Sequence, residues 1–225
     1  TECAKNLDIE LGSLDIEESF NSLETVLTPF FDNLPKDVTE ENLQSRIRGT
    51  LLMALSNKVG SMVVTTGNKS EVSVGYSTLY GDMNGGYNPI KDIYKTEVYA
   101  LSKWRNSSKS SICLGPSGEV IPISIIEKEP TAELREDQKD QDSLPPYDKL
   151  DDILECLIDY EMSISEIVKR GHDKSLVKKI ENLLYISEYK RRQSAPGVKV
   201  SQKNFGRDRR YPITNLFRDK NWQKI

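Results

Sequence analysis

The sequence predicts an α/β domain, a parallel sheet flanked by helices, that passes into a helical C-terminal subregion. Three observations carry this. The apolar run Ser61–Thr65 breaks at Thr65-Thr66-Gly67 and hands over to a helical segment, so a strand leads through a turn into a helix. Segments with helical spacing flank that run on both sides. Beyond residue 147 every periodic segment repeats at helical spacing. The chain divides into residues 1–146, the α/β region; 147–192, the helical subregion; and 193–225, a basic tail with little periodicity.

Residues 1–12 read as the end of a helix running into a short strand, and a second helix spans Ile16–Phe31 until Pro35 breaks the pattern. The clearest helix follows. Thr39 is a good N-cap, Glu40 and Glu41 suit the positive end of the dipole, and Gly60 is the stop. Between them Leu43, Ile47, Leu51, Ala54 and Leu55 recur at helical spacing, while Asn42, Arg46 and Arg48 sit on its polar side. After the Ser61–Thr65 strand come a helix near Lys69–Tyr76, a glycine-rich loop Gly81–Pro89, and a helix Lys95–Arg105 with Val98, Leu101 and Trp104 on one side. Asn106–Gly118 reads as a surface loop and Ile121–Glu127 as a short helix with Pro122 in its first turn. Glu129–Pro146 is polar and too long for an ordinary connection, which marks it as functional or disordered. Helices at Tyr147–Tyr160, Ile164–Arg170 and Ser175–Arg192 complete the pattern, the first with Leu150, Ile153, Leu154, Leu157 and Ile158 on one face.

Composition closes off several classes. Hydrophobic residues make up 36% and charged residues 29% of 225, ordinary for a globular chain. No apolar run approaches the roughly 20 residues that cross a bilayer. Cys3, Cys113 and Cys156 are odd in number and far apart, which points to a reducing, cytoplasmic setting and away from structural zinc. His172, the single histidine, reads as an exposed turn residue. The start, Thr1-Glu-Cys-Ala-Lys, resembles neither a signal peptide nor an initiator methionine and reads as a fragment or a processed start. The net charge of -4 hides a tail of +9 over residues 189–225 on a body of -13, which suits phosphate, nucleic acid or an acidic partner.

A site belongs just past the carboxyl end of a strand in an open α/β sheet. There Thr66 supplies a hydroxyl and Glu71 a hard oxygen for Mg²⁺, which is commonly held by one or two carboxylates plus phosphates. Glycines 67, 81, 85 and 86 allow close backbone approach to a phosphate or ribose, and Lys95 and Lys190 can neutralise polyphosphate.

Several longer strings sharpen this. Glu40-Glu-Asn-Leu-Gln-Ser-Arg-Ile-Arg-Gly49, Thr65-Thr-Gly-Asn-Lys-Ser-Glu71, Tyr80-Gly-Asp-Met83, Lys91-Asp-Ile-Tyr-Lys-Thr96, Glu129-Pro-Thr-Ala-Glu-Leu-Arg135 and Gln138–Tyr147 resemble the motifs of NAD synthetases, in family order. Tyr189–Lys199 and Phe205–Thr214 are similar to the glutamine-dependent branch. The resemblance covers Ala4 to Arg218 and implies a partial adenine-nucleotide alpha-hydrolase-like (ATP-pyrophosphatase) fold. It implies ATP contacts at Thr66, Lys95 and Thr131. It implies deamido-NAD contacts at Asn42, Arg46, Glu71, Tyr76 and Lys190, with Glu71 also matching a Mg²⁺ position. Leu79 departs from the lysine of the ammonia-dependent branch. The implied reaction amidates deamido-NAD: its carboxylate attacks the ATP α-phosphate, and ammonia, direct or derived from glutamine, displaces AMP from the acyl-adenylate. Homo-oligomerisation is implied as well. The family's Ser-Gly-Gly-x-Asp-Ser pyrophosphate loop does not occur in these residues, so the chain is expected to be incomplete and inactive alone. The other readings are a non-catalytic remnant that binds a dinucleotide or dimerises, and a nucleic-acid-binding protein using Phe205, Tyr211 and Trp222 of the tail.

Overall fold

The structure, a computed structural model, describes residues 1–108, 113, 115–135 and 137–215. Helices carry it: α1 at Glu2–Asn6, α2 at Glu17–Phe31, α3 at Val38–Val59, α4 at Lys69–Val74 and α5 at Lys95–Ser107. Then come α6 at Ile123–Glu127, a 3-10 turn at Asp140–Asp142, α7 at Tyr147–Ile158, α8 at Ile164–Lys169, α9 at Lys174–Ile186 and α10 at Glu188–Arg191. Parts of three expected segments, residues 109–112 and 114 of the Asn106–Gly118 loop, 136 of the Glu129–Pro146 stretch and 216–225 of the tail, lie outside the described residues.

Among the described residues no strand is long enough to count as an element. The expected strand at Ser61–Thr65 reduces to one parallel bridge, Val64 to Tyr87, with the Gly86 N–H donating to Val63 O at 2.8 Å and the Thr65 N–H to Tyr87 O at 3.0 Å. A strand persists through ladder bonds to its neighbours, and one short neighbour supplies too few. The strand expected within residues 1–12 is also absent, since residues 9–16 have no regular structure.

The core lies in the second half. Leu150, Ile153, Leu154, Leu157 and Ile158 of α7 are all buried, as their spacing predicts, against Ile167 of α8 and Val177, Ile180 and Leu184 of α9. Burying each such side chain contributes about 1.5–3 kcal/mol. Val72 and Val74 of α4 and Tyr94 before α5 join this cluster, so the core grips the elements that build the cleft described below.

Other helices depart from the sequence pattern. Asp37, not Thr39, caps α3: its carboxylate accepts the Thr39 N–H at 2.7 Å, and Glu40 returns the favour to the Asp37 N–H at 2.8 Å. A full negative charge outcompetes a hydroxyl at the positive end of a helix. Gly60 does close α3, at φ 69°. Of the apolar repeat of α3, Ile47 is buried, Leu43 and Leu51 are half-buried, and Ala54 and Leu55 are exposed; Ser45 and Gly49 are its other buried residues. Gly49 and Ser45 are the close-packing positions, because the backbone of Tyr80 and Gly81 lies directly against them. α5 has no buried residue, and Leu101 and Trp104 stay half exposed. It is tied to α7 at its start, where the N–H and hydroxyl of Thr96 donate to Asp151 Oδ2 at 2.9 and 2.8 Å. The helix expected over Ser175–Arg192 breaks at Ser187, which packs against Gly75 so closely that a Cβ there would overlap its hydroxyl. His172 is half-buried and paired with Asp152 instead of exposed.

The described part of the tail folds back on the body. Asp92 accepts the N–H groups of Val200 and Ser201, both at 2.7 Å, and Lys91 Nζ donates to Ala195 O at 2.7 Å. Several of its cations are paired: Lys203 and Arg209 with Glu161 of the body at 2.6 and 2.7 Å, Arg192 with Glu188 at 2.7 Å, and Lys199 with Asp208 of the tail itself at 2.7 Å, while Arg207 and Arg210 are exposed. Arg191 is buried, donating to Ser73 O at 2.8 Å and lying over the Phe205 ring at 4.7 Å. Phe205 and Tyr211 are thus core residues, and Trp222 lies outside the described residues.

Candidate functional site

The chain leaves the Val64 bridge through Thr65, whose hydroxyl donates to Asp82 O at 2.7 Å, and enters α4 at Asn68. Asn68 and Glu71 cap the helix reciprocally: Asn68 Oδ1 accepts the Glu71 N–H at 3.0 Å and Glu71 Oε2 accepts the Asn68 N–H at 3.2 Å. One turn on, Ser70 accepts the Lys95 N–H at 2.8 Å and donates to Asp151, so the starts of α4 and α5 are locked together. That lock aims Lys95 at Glu71, Nζ to Oε1 at 3.1 Å, with the ammonium 5.4 Å above the Tyr147 ring. Burial opposes the charge on Lys95, but Glu71 outweighs it and raises the pKa, so Lys95 is a firm cation.

A cleft of about 710 Å³ opens between α3, the 63–68 turn, α4, the 75–84 loop, the 131–140 segment and the α10–tail junction. This lies within the roughly 300–1,000 Å³ typical of small-molecule sites. Seven of the eight residues singled out from the sequence line it: Asn42, Thr66, Glu71, Tyr76, Lys95, Thr131 and Lys190. Arg46 is not among the lining residues; it is exposed on α3 and donates from Nε to Leu79 O at 3.2 Å. Lys190 reaches the cleft but gives its ammonium to Gly75 O at 2.8 Å and Ser77 O at 2.6 Å, which fixes the turn after α4. Dehydration lowers its pKa, with Asp82 opposing. Asn42 Oδ1 accepts the Thr78 hydroxyl at 2.9 Å, and Thr131 accepts the Glu133 N–H at 3.1 Å. Burial, then the nearby Asp140 carboxylate, raises the pKa of Tyr76 and keeps its phenol neutral.

Sequence reasoning missed three further parts of the site. Asn88 is almost fully buried, and its side chain donates to Gly67 O at 2.7 Å, holding the turn that carries Thr66. Arg48 lines the cleft and reaches Glu133 O at 3.3 Å from the polar side of α3. Asp140 is buried at the cleft wall and accepts the Tyr147 hydroxyl at 2.6 Å. The length of the polar Glu129–Pro146 stretch and the Gln138–Tyr147 motif within it were the available signals for Asp140, but both mark a region and not a residue.

The Mg²⁺ expectation, one or two carboxylates plus phosphates, rests on Glu71 at the cleft wall. Among the described residues no three His, Cys, Asp or Glu side chains stand close enough to hold a metal ion. Glu71 accepts the Asn68 N–H on one oxygen and the Lys95 ammonium on the other, which leaves one lone-pair site on each oxygen. What the cleft offers is alternating charge: Lys95, Lys190 and Arg48 against Glu41, Glu71, Asp82 and Asp140. Such a lining suits an elongated ligand carrying phosphates and hydroxyls. No helix among the described residues is long and apolar enough to cross a membrane.

Comparison with known proteins bears on what that ligand is. Residues 1–194 match the family model for NAD synthase. The glutamine-dependent NAD(+) synthetase of Rhodobacter capsulatus is 54% identical over 216 residues, 96% of this chain and 39% of that protein. The Thermotoga maritima enzyme of the same name is 49% identical over 96% of this chain and 36% of its own length. Among solved structures, the glutamine-dependent NAD+ synthetase from Acinetobacter baumannii in complex with ADP matches with a TM-score of 0.53 and 46% identity, covering 95% of this chain and 37% of that one. The glutamine-dependent NAD(+) synthetase from Cytophaga hutchinsonii, at 22% identity, matches in fold with a TM-score of 0.77 over 96% of this chain and 36% of that one. The chain therefore spans about two fifths of the length of the curated relatives it matches. These likenesses give it the NAD synthetase fold, the α/β class the sequence predicts, with the Val64–Tyr87 bridge as the parallel pairing among its described residues.

Proposed function

The chain belongs to the NAD synthase family, and from that premise we propose that its cleft is part of the synthetase site of a longer, glutamine-dependent enzyme that amidates deamido-NAD. In that reaction the pyridine carboxylate attacks the α-phosphate of ATP, pyrophosphate leaves, and ammonia displaces AMP from the acyl-adenylate. The observation that carries the reading is convergence: seven residues spread from position 42 to position 190 line one cleft.

The side chains suit a reaction governed by positioning and charge rather than by a nucleophile–base pair. Lys95, held charged beside Glu71, is placed to meet polyphosphate. Thr66 and Thr131 offer hydroxyls to ATP, and Asn42 and Tyr76 offer a polar and an aromatic wall to the dinucleotide. Lys190 acts by holding the Gly75–Ser77 turn and not through a free ammonium. Arg46, directed at Leu79 O, serves the rim.

Binding tests this directly. Titrating the chain with ATP and with deamido-NAD in a calorimeter should give saturable binding of both. Lys95→Met should weaken ATP by about 10–100-fold, the worth of a hydrogen bond to a charged group, and leave deamido-NAD nearly unchanged. Absence of binding by both ligands to the folded chain would sink the reading.

A further inference from the structure

α5 begins at Lys95, and the first N–H groups of a helix find no partner inside it. Two of them are met from other helices. The Lys95 N–H donates to Ser70 Oγ of α4 at 2.8 Å, and the Thr96 N–H to Asp151 Oδ2 of α7 at 2.9 Å. Asp151 also accepts the Thr96 hydroxyl at 2.8 Å and, on Oδ1, the Ser70 hydroxyl. One carboxylate, 5% exposed, therefore joins the starts of α4 and α5 to the second turn of α7. Its partners are hydroxyl and N–H donors, and among the described residues no cation pairs with it. Burial raises its pKa, the Ser70 and Thr96 bonds oppose that, and Glu97 adds to it.

The same three helices make a second contact beside this one. Glu71 follows Ser70 on α4, Lys95 precedes Thr96 on α5, and Tyr147 stands one turn before Asp151 on α7. Lys95 Nζ lies 3.1 Å from Glu71 Oε1 and 5.4 Å from the centre of the Tyr147 ring. Glu71 and Lys95 line the cleft, whereas Asp151 is not among the lining residues. A lysine ammonium rides on a flexible four-carbon stem, so it keeps one place only when both its backbone and its end are held. Glu71 and Tyr147 hold the end. Ser70 and Asp151 hold the backbone from which the stem springs.

We propose that Asp151 is a positioning residue for the polyphosphate side of the cleft: it touches no ligand and acts through Lys95, whose backbone it fixes by way of Ser70 and Thr96. The identity of the ligand rests on the amidation reading; the placement of Lys95 rests on these contacts alone.

Asp151→Asn keeps the shape of the side chain and one acceptor for Thr96, but its amide nitrogen cannot accept the Ser70 hydroxyl. Two readouts on the whole chain test the proposal. In calorimetry the variant should weaken ATP by about 10-fold and leave deamido-NAD nearly unchanged. Added to Lys95→Met it should cost ATP nothing further, because both changes act through one ammonium. The second readout is amine labelling resolved by site in a mass spectrometer. Burial works against the Lys95 charge but Glu71 outweighs it, so the reactive free amine is scarce in the wild type. In Asp151→Asn, Lys95 should label several-fold faster while the buried Lys69, the gauge of folding, stays protected. Labelling of Lys95 at the wild-type rate in a folded variant would overturn the proposal. So would unchanged ATP affinity, equal losses for both nucleotides, or additivity with Lys95→Met. A wild-type chain that binds neither nucleotide sinks the amidation reading, and the Lys95 labelling rate then decides the placement alone. Should Asp151→Asn unfold the chain and expose Lys69, Thr96→Val removes a single hydroxyl and should speed Lys95 labelling in the same direction; an unchanged rate there would overturn the proposal.

Discussion

Lys69 is the strongest single prediction in the molecule. It is fully buried at the first turn of α4, next to the capping Asn68. Its ammonium donates to Ser201 Oγ at 2.7 Å and Lys203 O at 3.1 Å, and pairs with Asp159 at 3.3 Å and Asp92 at 3.4 Å. The Tyr94 ring lies 4.7 Å away and its hydroxyl binds Asp159 at 2.8 Å. Lys69→Met keeps the length of the side chain and removes the charge, leaving two carboxylates in the interior without a cation. Breaking a buried pair this way costs about 3–5 kcal/mol. For a chain of this size 1 kcal/mol is worth about 2–4 °C, so the melting temperature should fall by roughly 6–20 °C. Urea unfolding followed by far-UV circular dichroism reads the free energy. Adding Asp159→Asn to Lys69→Met should recover part of the loss, because the second change removes one of the stranded charges. A loss below about 1 kcal/mol, the value of an exposed pair, would refute the reasoning, as would a double variant less stable than the sum of the singles.

Two further outcomes follow from local geometry. Gly75 and Gly60 both close helices in the left-handed region, at φ 71° and 69°, but only Gly75 has a neighbour in the way, Ser187. Alanine at Gly60 should cost about 1 kcal/mol from strain alone; alanine at Gly75 should cost more and also weaken dinucleotide binding, since Lys190 is anchored on Gly75 O, and equal losses in chemical unfolding would refute the clash. In acid, Glu166 and Asp173 have lowered pKa values because serine hydroxyls and backbone N–H groups bond to their charged forms at the starts of α8 and α9. A depressed carboxylate adds stability above its unfolded pKa and loses it as pH falls through the folded one, so Glu166→Gln with Asp173→Asn should flatten the dependence of melting temperature on pH below about pH 5.

Helix positions in the second half were legible because α7 and α9 bury one face each, and burial is what periodicity reports. α3 and α5 were legible as helices, but only part of each apolar face is covered. On α3 the repeat is buried at Ile47 and ends exposed at Ala54 and Leu55, and the close contact is made by Gly49 and Ser45, small residues that no hydrophobic count would choose. The strand at Ser61–Thr65 could not be judged from its own residues, since pairing depends on what lies beside it. In the cleft, motif likeness located seven lining residues and lost Asn88 and Asp140, whose roles come from burial and from contacts 21 and 7 residues away in sequence. Charge counting was a poor guide for the described part of the tail, because Arg191, Lys203 and Arg209 turn back onto the body.

That inward turn gives the tail a use. Asn88 donates its backbone N–H to Pro196 O at 2.8 Å, and its carbonyl lies so close to Gly197 that no side chain fits there. Ser194 and Ala195 line the cleft, and Asp92 and Lys69 hold residues 200–203 a few positions on. The strap thus packs on the same Asn88 that sets the Gly67 turn, and on the same Lys69 that begins α4 beneath Glu71. Loosening it perturbs the turn carrying Thr66 and the helix carrying Glu71 together, two walls of one cleft. The described part of the tail is therefore an outer layer of the site: the Val200 and Ser201 N–H groups hold Asp92, whose charge partner is Lys69 of the body, while Lys203 and Arg209 pair with Glu161.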